Sequence, residues 1–276
     1  MNRTLHIDET PSTNTWLMEH CREEDYPNLF TVYTFRQTAG RGQAGNAWES
    51  EPGKNLSFST LFRIATIEQA ARLNLLVPLA VCNVLNKVKG QTPRGLSKVK
   101  GQKSKVEGDF SIKWPNDIYW QDRKVAGLLN ENVIIAGKVA FSVAGIGVNV
   151  NQEVFLSDAP NPVSLKQITG RTYELEPLIV RIVDEMESLL PLLDDQEALK
   201  RAYMARLYRR EGWFPYVERD VSTAPTTIAR AGKTNEEKHV PFLAEIADID
   251  DFGRLVLRTE SGELRTYHFK EIRFVV

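Results

Sequence analysis

Cysteine is nearly absent from this chain: Cys21 and Cys82 are the only two thiols in 276 residues. They lie far apart inside helix-like apolar patterns with no Cys-x-x-Cys pair, and His20 beside Cys21 is a lone second donor, so neither a disulfide framework nor a zinc site is expected. Charge of one sign is missing too. With 35 Lys+Arg against 36 Asp+Glu and a net charge of -1, no global field draws the chain to nucleic acid or a membrane surface. No run approaches the roughly 20 apolar residues of a membrane span, and the stretch from Met1 to Glu9 carries charges where a signal peptide needs an apolar core. Together these absences predict a cytoplasmic protein with reduced thiols. His6, His20, His239 and His268 read as surface or structural groups. What is present is a 42% hydrophobic content, ample for a packed core in a large domain with room for a small one.

Along the chain, Leu29 to Phe35 is rich in β-branched and aromatic residues and Asn55 to Phe62 alternates apolar with polar, so both read as strands. Thr66 and Gln69 have the form of a capping box, and a helical stripe runs from there to about Lys87, with Pro78 expected to kink or divide it. From Gly90 to Gly108 the composition turns basic (Arg94, Lys98, Lys100, Lys103, Lys105) and cannot bury a face, which reads as a solvated insertion or a polyanion-binding tract. Strand-like runs follow at Phe110 to Trp114, Lys124 to Leu129 and Lys138 to Val148. Their connections are too short for crossover helices, so the spacing predicts an α+β fold with a largely antiparallel sheet. Helical patterns cover Glu176 to Leu193 and Gln196 to Arg210. The tail beyond Trp213 shows strands at Val240 to Ala247, Arg254 to Arg258 and Arg265 to Phe269, the pattern of a small β-barrel. The expected domains are therefore 1–212 and 213–276.

Gly40-Arg-Gly-Gln-Ala-Gly45 matches the dinucleotide-binding fingerprint but fails on context, because that motif needs a helix opening at the loop and here Pro52-Gly53 signals another turn. No Lys-Ser/Thr closes the run as a Walker loop would. What remains is either a plain glycine turn or a backbone-exposing loop in which Arg41 and amide donors cover an anionic ligand. A second cluster is Lys113-Trp-Pro-Asn-Asp117 followed by Lys124-Val-Ala-Gly127. A lysine on a strand is ordinarily solvated, but these two flank a short turn with Asp117 between them. Cations there could bind phosphates, and the carboxylate could hold Mg²⁺ or orient an attacking amine. Gly145-Ile-Gly-Val-Asn149 ends a strand with glycines that allow close approach.

Taken in order, Ser12-Thr-Asn14, Gln37-Thr-Ala-Gly-Arg-Gly42 with Trp48, and the three clusters just described resemble the motifs of biotin protein ligases. The resemblance covers nearly the whole chain, and Tyr267-His-Phe-Lys-Glu-Ile-Arg273 is similar to the end of that family's carboxy-terminal domain. It implies a catalytic domain related to class II aminoacyl-tRNA synthetases, with a mixed sheet, plus a small SH3-like barrel. It also implies two steps: biotin's carboxylate attacks the α-phosphate of Mg·ATP to give biotinyl-5′-AMP, and a lysine of a biotin carboxyl carrier domain then takes the acyl group.

In that scheme Ser12, Thr13, Asn14 and Gln37 meet the ureido ring, with Gly40, Gln43 and Gly127 also lining the biotin site. Arg41, Gly42 and Lys124 hold the carboxylate and then the acyl phosphate. Trp48 borders adenine, Lys113 contacts the triphosphate, Asn116 and Asn149 complete the nucleotide site, and Asp117 serves metal or acceptor lysine. ATP, Mg²⁺ and biotin enter as substrates, with no permanently bound prosthetic group. The implied partner is the carrier domain, with neither DNA nor membrane, and a homodimer is admitted. Hydrogen-bonding groups at the pocket base favour biotin over lipoate, whose dithiolane offers no strong donors or acceptors. A non-catalytic biotin- or adenylate-responsive regulator using the basic tract is the rival from another class. Two departures stand out. Many family members carry a basic pair after the residue matching Gly42, where this chain has Gln43-Ala44, and ligand-site residues beginning at Ser12 are expected to leave no room for an amino-terminal helix-turn-helix.

Overall fold

The computed structural model describes residues 3–90, 109–157, 161–219 and 240–275. The basic tract at 91–108 lies outside the described residues. The chain divides into two compact units, Met1–Tyr208 and Arg209–Val276.

The first unit opens with β1 (Thr4–His6), α1 (Thr13–His20), β2 (Thr31–Thr34) and β3 (Leu56–Phe62), followed by the long helix α2 (Ile67–Gly90). Four strands come next, β4 (Phe110–Lys113), β5 (Asp117–Trp120), β6 (Arg123–Ile135) and β7 (Lys138–Val148), and then α3 (Leu165–Thr169), α4 (Leu175–Leu189) and α5 (Gln196–Met204). The strands form one sheet in the order β1-β2-β3-β7-β6-β5-β4. β1 and β2 pair in parallel and the other pairs are antiparallel, as the short turns joining β4, β5, β6 and β7 require of those strands.

The two faces of the sheet are covered differently. Leu17 of α1 and Cys21 at its C-cap pack on Val32, Leu61 and Val143, and because side chains alternate along a strand, Ser57, Ser59, Gly145 and Gly147 share that face. The other face presents Phe58, Ile146 and Val148, all buried, with α2 packed across β4 to β7. α2 is one continuous 24-residue helix with Pro78 inside it, so the proline does not divide it. Its start follows the predicted cap: Thr66 Oγ1 accepts from Gln69 N at 3.1 Å, and Gln69 Oε1 accepts from Ala65 N at 2.9 Å.

Elsewhere the boundaries differ from the sequence reading for local reasons. α4 ends at Leu189 and continues only as a 3-10 turn through Leu193, because Pro191 cannot donate to the helix ladder. α5 stops at Met204, short of Arg210. The short helix α3, not expected, carries a capping box from Ser164 and Gln167 and a left-handed Gly170 at its end.

The second unit contains β8 (Phe214–Glu218), β9 (Phe242–Ile249), β10 (Leu255–Thr259), β11 (Leu264–Tyr267) and β12 (Ile272–Phe274), hydrogen-bonded in the order β11-β10-β9-β8-β12. β8 and β12 add two strands to the three expected. The Asp-Phe-Gly turn between β9 and β10 forms as read: Asp250 Oδ1 accepts from Phe252 N at 3.0 Å and Arg254 N at 2.8 Å, and Gly253 takes φ 77. Among the described residues no helix is long and apolar enough to cross a membrane.

Candidate active site

The site grows out of strand register. Thr34, Ser57, Gly147, Gly127, Asp117 and Lys113 are successive cross-strand partners from β2 to β4. Ser59, Gly145 and Leu129 form the next row on the same face. Small residues in the middle of both rows leave a depression in an otherwise packed sheet, and loop and helix side chains enter it. A Cβ added at Gly147 would lie 2.4 Å from Trp48 Cε2, and one at Gly127 would lie 3.0 Å from Trp48 Cζ3. A Cβ at Gly145 would lie 2.8 Å from Asn14 Oδ1. The indole of Trp48 thus rests on two glycines and the amide of Asn14 on a third.

The first turn of α1 forms one wall. Ser12 is its N-cap, accepting from Thr15 N at 3.4 Å. Thr13 N donates to Gln37 Oε1 at 3.0 Å, and Thr13 Oγ1 lies 2.8 Å from Ser59 Oγ. The expected ureido-binding set is therefore brought together, with Ser12 serving as a cap at the same time.

The glycine loop forms the lid side. Trp48 N donates to Gly40 O at 2.9 Å, Gly42 N donates to Asn46 O at 2.7 Å, and Arg41 bridges to Ala47, so the loop folds back on itself. Only a three-residue 3-10 turn, Gln43–Gly45, lies inside it, and the helix a dinucleotide fingerprint needs does not follow. Gly40 is required by close approach, since a Cβ there would meet Trp48 O and Gln37 Nε2, each at 2.7 Å.

The cations fall into three settings. Arg41 Nη2 donates to Glu131 Oε2 at 2.9 Å, and Asn14 Nδ2 donates to the same oxygen. Lys124 Nζ lies 2.7 Å from Asp117 Oδ1 and 5.7 Å from the Trp48 ring centroid. Lys113, opposite Asp117, donates to Tyr119 Oη at 3.1 Å. Burial, and then the charge of Asp117, push the Tyr119 hydroxyl far above its ordinary pKa, which keeps it neutral beside the lysine. Asn116 ties its turn to β6, donating from Nδ2 to Leu128 O while its own carbonyl accepts from Leu128 N at 3.1 Å. Asn149 is buried, with its backbone bonded to Val125 O and Leu165 N. Lys113, Asn116 and Asn149 are thus anchored around the site at their backbones or neighbours, and Asp117 and Lys124 form its ion pair.

Several buried polar atoms at this face have no hydrogen-bond partner: Asn14 Oδ1, Gln43 Oε1, Trp48 Nε1 and Ser57 Oγ. Leaving such a group unsatisfied costs about 1–3 kcal/mol, so these four atoms are the ones a polar molecule entering the depression would bond. A resident divalent metal is a poorer fit. Asp117 is a single carboxylate already engaged by Lys124, and among the described residues no group of three His, Cys, Asp or Glu could hold an ion.

Sequence reasoning missed Ser57, Ser59, Glu131 and the latch behind Trp48. Glu49 accepts from Gln152 Nε2 at 2.9 Å, Leu156 N at 2.9 Å and Ser157 N at 2.8 Å. Burial raises the pKa of Glu49, but these hydrogen bonds outweigh it and hold the carboxyl below its usual range.

Residues 7–151 match the family model described as "Biotin/lipoate A/B protein ligase family", and residues 236–274 match "Biotin protein ligase C terminal domain". The bifunctional ligase/repressor BirA of Escherichia coli is 30% identical over 212 residues, 75% of this chain and 55% of that protein. The biotin–[acetyl-CoA-carboxylase] ligase of Paracoccus denitrificans is 27% identical over 237 residues, 84% of this chain and 85% of that protein. The chain spans about half the length of the BirA proteins from Escherichia coli and Salmonella typhimurium that it matches. The fold is shared with the biotin protein ligase from Aquifex aeolicus solved in complex with biotin and ATP, at a TM-score of 0.69, 21% identity and 100% coverage of both chains.

Proposed function

The chain belongs to the biotin/lipoate A/B protein ligase family, and from that premise we propose that it activates biotin with Mg·ATP and transfers it to a lysine of a biotin carboxyl carrier domain. The observation that carries this reading is the set of buried, unpartnered polar atoms over a glycine floor, Asn14 Oδ1 and Ser57 Oγ above all, with Arg41 and Lys124 on the same face. A ureido ring offers donors and an acceptor to such a floor, and a dithiolane offers neither, which favours biotin over lipoate. The match of residues 236–274 to the biotin protein ligase carboxy-terminal domain supports the same choice.

In the first step the biotin carboxylate oxygen bonds to the α-phosphorus and pyrophosphate leaves. Arg41 and Lys124 neutralise the carboxylate and the phosphoryl oxygens as charge shifts between them, and Lys113 meets the phosphates of the incoming nucleotide. Magnesium enters with the substrate nucleotide. In the second step the acceptor amine attacks the acyl carbon and AMP leaves. Asp117, held against Lys124, orients that amine or the lysine beside it. Trp48 stacks on the nucleotide base, and Gly42 and the loop amides cover the anhydride. The buried free thiols of Cys21 and Cys82 suit a reducing compartment, and we place the reaction in the cytoplasm.

The deciding experiment mixes the protein with biotin, Mg·ATP and a biotin carboxyl carrier domain and follows the mass of the carrier. A gain equal to one biotinyl group, dependent on ATP, is expected. Lipoylation of a lipoyl domain without biotinylation would overturn the proposal.

A further inference from the structure

We propose that Glu131 is a positioning residue that sets the specificity of the site by fixing which way the Asn14 amide faces. The inference rests on the biotin-ligase reading above. A side-chain amide offers two donors at Nδ2 and an acceptor at Oδ1, and its orientation is decided by its neighbours. A carboxylate only accepts. Asn14 Nδ2 donates to Glu131 Oε2, so Oδ1 is turned away from that oxygen and onto the glycine floor, directly over Gly145. There it is buried and without a partner, while Asn14 as a whole is only 4% exposed. The acceptor therefore waits for an N–H from whatever occupies the depression. In a ureido ring that donor is one of the two ring N–H groups. The same Glu131 oxygen accepts from Arg41 Nη2 at 2.9 Å, so one carboxylate registers the loop cation against the recognition amide of α1.

Glutamine at 131 would be isosteric but could donate as well as accept, freeing Asn14 to present its NH₂ to the ligand. Aspartate would be shorter yet remain an acceptor only. A group that merely fills space would tolerate glutamine better than aspartate, whereas a group that fixes an amide by accepting from it would show the reverse order.

The test is calorimetric binding and pyrophosphate-release kinetics with biotin and with a cyclic carbamate analogue that carries a ring oxygen in place of one ureido N–H, each regioisomer in turn. The parent protein should prefer biotin to one regioisomer strongly. Glu131→Gln should weaken biotin about tenfold, the low end for a hydrogen bond to a charged group, and reduce that preference by a similar factor, with the biotin KM rising more than kcat falls. Glu131→Asp should retain the preference. Asn14→Ala, an independent route, should cost affinity for biotin but not for the carbamate, and Glu131→Gln should then change the preference no further. Parental affinity and preference in a folded Glu131→Gln protein, or a larger loss in Glu131→Asp, would overturn the role of Glu131 alone. A parent protein that biotinylates nothing would overturn the functional reading beneath it.

Discussion

The two glycines of Gly145-Ile-Gly147 lie on one strand face two residues apart, yet each supports a different part of the site, so adding a methyl group to either should produce separable defects. A Cβ at Gly147 would lie 2.4 Å from Trp48 Cε2, 2.5 Å from Nε1 and 2.8 Å from Cζ2. Carbon atoms prefer about 3.5–4.0 Å, so something must retreat by roughly 1 Å or more. β7 is hydrogen-bonded on both sides, to β3 and β6, whereas Trp48 sits on a loop, so the indole moves.

A buried indole removes about 150–250 Å² from water. Trp48 is half-buried, so complete ejection forfeits about 2–3 kcal/mol at about 25 cal/mol per Å². Because the loss falls on a loop, it raises the local opening of the Trp48 segment more than it lowers global stability. Gly147→Ala should therefore melt within a few degrees of the parent but raise the ATP KM about tenfold or more, the factor that about 1.4 kcal/mol produces. Gly145→Ala meets Asn14 Oδ1 at 2.8 Å and Cγ at 3.1 Å, and should instead raise the biotin KM with the ATP KM little changed. Steady-state pyrophosphate release with each substrate titrated in turn separates the two. Identical kinetic profiles for both variants, or parental ATP kinetics in Gly147→Ala, would refute the assignment of Trp48 to the nucleotide side.

Asp117→Asn removes the carboxylate 2.7 Å from Lys124 Nζ and should lower transfer to the carrier lysine by about 10²-fold, the scale for misplacing a reacting group by about 1 Å; adenylation and transfer at the parental rate would remove Asp117 from the reaction. Gln43→Arg returns to the loop the cation that many family members carry and should slow release of preformed biotinyl-5′-AMP about tenfold in a chase experiment, with equal release rates counting against the loop as the adenylate clasp. Burial pushes the thiol of Cys21 up to about 11 and that of Cys82 up to about 12, from an ordinary value near 9. Above that ordinary value the unfolded chain releases protons that the folded chain keeps, so this stabilisation is fully present below pH 9 and is lost as pH rises toward 11 to 12. Denaturant midpoints should fall across that window, and a disulfide-exchange reagent should leave both thiols untouched at pH 8 until the protein is unfolded; rapid labelling of the native protein would contradict the burial.

The fold was largely legible because its long elements are periodic. The stripe of α2, the antiparallel hairpin of β6 and β7, and the failure of the glycine loop to open a helix all follow from spacing and turn residues. Shorter pieces were not. β1, β5 and β12 span three or four residues each, too few for an alternation to register, and β5 is confined between Pro115 and the turn at Gln121. The apolar run of β6 stops at Leu129, whereas the strand continues to Ile135. Asn130, Glu131 and Asn132 broke its apolar pattern, but each has a partner that a one-dimensional reading cannot see. Asn130 Nδ2 donates to Asn74 Oδ1 at 2.9 Å, Glu131 accepts from Asn14 and Arg41, and Asn132 Oδ1 accepts from Ser142 Oγ at 2.6 Å. Glu131 went unnoticed for that reason.

The serines of β3 show why the site itself was only partly visible. Alternation of apolar and polar residues ordinarily means one wet face, yet Ser57 is 3% exposed and Ser59 is 0% exposed. The alternation was real, but the face it marked is covered by α1 and the Trp48 loop and is not open to water. A polar face buried in this way must be satisfied, and Ser59 is, by Thr13. Ser57 Oγ and Asn14 Oδ1 are not, and a sheet whose only task was to pack would replace them with methyl groups at little cost. Beside glycines that hold the floor open, these two atoms are placed to bond the polar ligand that the proposed function calls for. The pattern that resembles an ordinary solvent-facing strand in sequence is, in the fold, the clearest mark of the binding floor.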